Sequence, residues 1–195
     1  DPSLAPISTA MFHYAKGVAH AALGEIAEAE TAERAFHAAM DAFPVDAIFL
    51  SNPVHDTLNV GSAMLTGEIA YRRGAYDHAF EALRVAVERN DNLNYTEPWA
   101  WMHPPRHALG ALLAEQGRYD EAEAVYRADL GYDPAVPRPC RHPDNVWALH
   151  GLLECVTRRG GASEADVLGQ RLALAQARTD IPIMSACCCR DASRA

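Results

Sequence analysis

The chain has 195 residues, 49% hydrophobic and 22% charged, which is the composition of a folded globular protein and excludes wholesale disorder. Its formal net charge is −9, from 26 acidic against 17 basic residues, and no cluster of Lys and Arg offers a footprint to a nucleic-acid backbone or an anionic membrane, so both are set aside as partners. No run of ~18 apolar residues is present, so no membrane insertion is expected; the chain reads as soluble and cytoplasmic by default, while its start at Asp1 reads as a trimmed or processed end that leaves export open.

Helical spacing begins near residue 9. A helix is expected over about 9–23, with Gly17 inside it and Gly24 at its end, and a second over about 25–41, with Ala29 near its start. The same small residues then recur at the same intervals of seven and five positions. Gly67, Gly74 and Ala79 predict helices over about 57–73 and 76–90, and Gly110, Gly117 and Ala122 predict helices over about 105–116 and 119–131. In a fourth copy, Gly151, Gly160 and Ala165, the first interval is stretched by two residues, and helices are expected over about 144–159 and 162–177.

The physical meaning of the pattern is a helix, a tight turn and a second helix that crosses the first closely. A glycine within the first helix removes a side chain where another helix must approach, and the glycine at the turn takes the left-handed conformation that ends the helix. Ile26, Tyr76 and Tyr119, each two residues past a turn glycine, are placed to pack across the hairpin. In the second helices the apolar residues form one stripe; Ala122, Val125, Tyr126 and Leu130 stand at i, i+3, i+4 and i+8.

The third copy carries the most specific signal. Leu109, Gly110, Gly117, Tyr119, Ala122, Tyr126 and Pro134 resemble a tetratricopeptide repeat, with Asp129 as the exception, standing where a small residue is usual. The block from Tyr95 through Trp99, Trp101, Pro104 and His107 to Leu130, and the later block His142, Pro143, Asn145, Trp147 and Gly151, are similar to the C-terminal half of uncharacterised bacterial tetratricopeptide proteins. The resemblance implies an all-α fold, a right-handed α-α superhelix (a solenoid) of about four helix hairpins over residues 1–178, followed by a Cys-rich tail over 179–195. Long inter-repeat loops are expected as well. The turn glycines lie 50, 43 and 43 residues apart, where a plain array repeats every ~34.

The first helices of such a stack line a groove that holds peptides or partner segments. Counting from the internal glycines places Tyr14, Met64, Glu68, Tyr71 and His107 on that wall. The connection 91–104 gathers Tyr95, Trp99, Trp101 and Met102, so it either folds back onto the helices or forms an adhesive external surface, with Trp99 and Trp101 as partner-binding residues. No phosphate loop, nucleophile elbow or paired-carboxylate motif occurs, and no catalytic residue is assigned.

Of five cysteines, Cys155 falls in an apolar helical pattern, while Cys187 and Cys189 form a C-x-C pair whose soft thiolates suit Cu or Zn. The sequence therefore supports a protein- or peptide-interaction scaffold without a cofactor. Two alternatives stand beside it: a metal-binding protein or metalloenzyme using Cys187 and Cys189 with groove histidines, and a structural solenoid whose partner is itself, stacked end to end into filaments.

Overall fold

A computed structural model describes residues 6–187 and 189. The fold is all-α. In chain order the described residues form α1 (Pro6–Ala22), α2 (Ile26–Asp41), a small ribbon of β1 (Ile48–Phe49) and β2 (Asn52–Pro53), α3 (Val54–Arg72), α4 (Tyr76–Asp91), α5 (Pro105–Glu115), α6 (Tyr119–Asp129), α7 (Val146–Arg158) and α8 (Ala162–Gln176). These are the eight helices that the spacing predicts, each end within about three residues of its expected place. The chain divides into two compact units, Asp1–Pro105 and Arg106–Ala195, each holding two hairpins. Of the tail assigned to 179–195, residues 188 and 190–195 lie outside the described residues.

Each hairpin turn is made the same way. Gly24, Gly74, Gly117 and Gly160 have φ between 73° and 83°, a region that a side chain makes costly. At Gly117 the amide donates to the Ala114 carbonyl at 3.0 Å and the Arg118 amide to the Leu113 carbonyl at 2.9 Å, closing the orphan carbonyls of α5. The pairs Gly24 with Glu25, Gly74 with Ala75 and Gly160 with Gly161 repeat this arrangement. At its other end α7 is capped by Asn145, whose side chain accepts from the amides of Trp147 and Ala148 at 3.0 and 3.2 Å.

In the first unit α3 is the central helix, and its buried residues run from Val54 to Tyr71 with α1, α2 and α4 packed around it. A Cβ added at Gly67 would meet Leu83 of α4 at 2.8 Å, the close crossing expected inside a hairpin. At Gly17 the close neighbour is Leu65 of α3, also at 2.8 Å, so this glycine serves the approach of the next hairpin and not of its own. The difference has a simple cause: a first helix touches both its own partner and the helix of the following pair. Tyr76 behaves as its position predicts, packing edge-on to Tyr71 with ring centroids 5.1 Å apart.

In the second unit the ring of Tyr126, fully buried, lies between two glycines, Gly110 of α5 and Gly151 of α7. Arg127 and Arg159 each reach both Glu123 and Glu164, a ring of alternating charges that links α6 to the end of α7 and the start of α8. Part of the tail packs onto this unit. Ile183, Ala186 and Cys187 are buried, and the Ile183 carbonyl accepts from Gln176 Nε2 at 2.5 Å and lies 2.5 Å from His150 Nε2.

Candidate functional site

The aromatic connection after α4 folds back onto its own unit. Asn52, in β2 and fully buried, accepts from the Asn94 amide at 2.6 Å and donates to the Asn94 carbonyl at 3.0 Å, while Asn94 Nδ2 donates to the Ser51 carbonyl at 2.8 Å. This clasp joins the two long connections and directs residues 99–103 towards α1 and α3. Trp101 then inserts where Gly61 has no side chain; a Cβ there would lie 2.8 Å from Trp101 Cζ3. Its Nε1 donates to Met64 Sδ at 3.0 Å, and its ring meets Tyr14 edge-on at 5.0 Å. Burial, and after it the Glu68 carboxylate, pushes the Tyr14 phenol above its ordinary pKa, so it stays a neutral hydroxyl, bonded to Met64 Sδ at 3.9 Å.

The residues expected on the groove wall are thus mostly internal. Met64, Glu68, Tyr71, His107 and Trp101 are buried, Tyr14 is half-buried, and of the seven only Trp99 is exposed, at 42%. Glu68 pairs with Arg72 at 2.8 Å, and Tyr71 packs with Tyr76 and Phe80 of its own hairpin. With Trp99 and Trp147 replaced by Phe, the remaining emission, from Trp101, should be shielded from acrylamide, and an Asn52→Ala change should expose it by opening the clasp. Quenching as strong as that of free tryptophan in the parent would contradict the burial described here.

Beside Trp101 a cavity of about 330 Å³ remains open. It is bounded by Ile7, Met11 and Tyr14 of α1, by Phe49, by Val54, Thr57 and Leu58 of α3, and by residues 100–103. Its walls are almost wholly apolar. The polar residues there are His103 and Thr57, the latter only 4% exposed, with its Oγ1 buried and without a hydrogen-bond partner among the described residues. A buried hydroxyl left unpaired costs ~1–3 kcal/mol. Nothing in the sequence singles out Thr57, since a threonine in the first turns of a helix is commonplace.

The second unit contains a different arrangement. His107 of α5 lies with Nε2 3.0 Å from Asp129 Oδ2, and His142, in the connection after α6, lies with Nδ1 2.8 Å from Asp129 Oδ1. The His142 amide also donates to the Asp129 carbonyl at 2.6 Å. All three side chains are buried, Asp129 completely. Burial alone would raise the carboxyl's pKa, but the hydrogen bonds from both imidazoles outweigh it and hold Asp129 down at about 2, ionised under all ordinary conditions. Asp129 is the last residue of α6, and both histidines converge on it there.

The tail cysteines take a third form. Cys187 and Cys189 are joined in a disulfide, so their thiolates are available to a metal only after reduction, and Cys188 lies outside the described residues. Cys140 and Cys155 are buried and stand outside that disulfide. His103 lines the cavity of the first unit. The chain matches no known protein family, no characterised protein and no solved structure.

Proposed function

We propose that the chain is a protein- or peptide-interaction module of the tetratricopeptide type, whose partner inserts one large apolar side chain into the cavity of the first unit. The observation that carries this reading is the cavity itself: mostly apolar walls, with exposed Met11 and Met102 among its lining residues. Recognition sites of this kind combine an apolar body with a few placed polar groups that fix orientation. The solenoid implied by the resemblance would supply the extended surface on either side of that anchor. Trp101 is part of the wall in this reading, because its indole is already committed to Met64 and Tyr14.

Selection of peptides from a random display library on the intact chain tests the proposal. Selected peptides should share an aromatic or long aliphatic residue and should lose binding to Thr57→Leu, in which the added methylene projects into the cavity. Selected peptides that bind Thr57→Leu as tightly as the parent would place the partner elsewhere. The volume-conserving Thr57→Val should act differently. By removing an unpaired buried hydroxyl it should raise the stability of the free protein by about 1 kcal/mol, while leaving peptide binding unchanged. Thermal unfolding and calorimetric titration read the two effects separately.

A further inference from the structure

We infer that His107, Asp129 and His142 form a binding site for one divalent transition ion of the zinc type. Two imidazoles and a carboxylate are a ligand set that such ions favour over hard cations, which prefer oxygen alone. The three come from α5, from the last residue of α6 and from the connection that follows, so the set exists only when this part of the chain is folded. One ligand atom from each lies within 4.8 Å of the others, close to the ~4.4 Å spread open to atoms ~2.0–2.2 Å from a common ion. A small inward shift of the connection carrying His142 closes the remainder.

The geometry also states which atoms would bind. Both carboxylate oxygens of Asp129 face ring nitrogens, Nε2 of His107 and Nδ1 of His142, so these nitrogens hold the hydrogen bonds that the ion would replace. On binding, each imidazole would ligate through that nitrogen, and any proton held there would have to leave it. Because all three groups are buried, the ion would be taken up as the unit folds and would lose most of its water, leaving a position for at most a small fourth ligand. The site is separate from the Cys187 and Cys189 pair, which the same chemistry had suggested from sequence.

The test uses the full chain, stripped with chelator and titrated with Co²⁺ and Zn²⁺, alongside a Cys187→Ser/Cys189→Ser variant and the three single variants His107→Gln, Asp129→Asn and His142→Ala. The parent and the Cys variant should each bind one ion per chain, with visible cobalt absorption bands of nitrogen and oxygen ligation. His142→Ala, whose residue lies outside any helix and whose helical circular dichroism should match the parent, should bind at least ~100-fold more weakly. Should His142→Ala fail to fold, His107→Gln and Asp129→Asn preserve size and serve as the same test. Folded parent that takes up no ion overturns the proposal. So does an ion retained equally by all three ligand variants, or one lost in the Cys variant.

Discussion

Replacing Gly151 by alanine should lower the melting temperature of the second unit, although alanine is the better helix former. In an exposed helix interior the exchange is worth ~1 kcal/mol in the stabilising direction. At Gly151 a Cβ would lie 2.1 Å from Tyr126 Cζ, and the ring has little room to retreat, because a Cβ at Gly110 would also meet it at 2.6 Å. Overpacking of a filled core typically costs ~1–3 kcal/mol and here faces a fully buried aromatic, so we expect the crowding to reach or exceed the upper value. The net loss is then ~2 kcal/mol, or ~4–8 °C for a chain of this size. Gly169, in α8, is the control: nothing lies within 4 Å of a Cβ there, and Gly169→Ala should raise the melting temperature by ~2–4 °C. Differential scanning calorimetry of both variants decides the matter. Equal, positive shifts would mean that Tyr126 does not sit between the two glycines. A Gly151→Ala/Tyr126→Leu double variant should recover part of the loss relative to Tyr126→Leu alone, since the ring is what the new methyl strikes.

That glycine was legible in the sequence as a point of close approach, and the helix it would face was not. Hairpins announce themselves because their contacts are local: a turn glycine with positive φ, a small residue seven positions earlier and an apolar stripe are all set within some thirty residues. The contacts that build the two sites are long-range. Asn52 and Asn94 are 42 residues apart, and Trp101 and Met64 are 37 apart. Their residue types carry no period that could pair them in advance. The aromatic richness of residues 95–102 did require burial, and Trp101 obtains it, but only its fit at Gly61 shows that the helices expected to line an open wall are covered there. Asp129 shows the intermediate case. Its charge at a position meant for a small side chain was visible as a departure; His107 and His142 were visible as histidines among nine, and the clustering of the three depends on the fold of the connection after α6.

Asp129→Ala should be the most damaging single change to the junction of α6 with that connection. The carboxylate is completely buried, accepts from an imidazole at each oxygen and draws the His142 segment against the end of α6 through its own carbonyl as well. Truncation would leave two buried ring N–H groups without acceptors, at ~1–3 kcal/mol each, and a small void besides. Some of this is recovered, because the His142 amide still has the backbone carbonyl of residue 129 and the connection can shift to admit water. We therefore expect a loss of ~3 kcal/mol, measured by chemical denaturation in the presence of chelator so that no ion contributes. Asp129→Asn, which keeps one accepting oxygen and the same shape, should lose about a third as much, since one imidazole can remain paired. A loss under ~1 kcal/mol for Asp129→Ala would show that the two histidines find other acceptors at no cost, and that the carboxylate does not organise the connection. The contrast between the two variants matters more than either value: a purely steric role for residue 129 predicts that alanine, the smaller side chain, would be the more stable of the two.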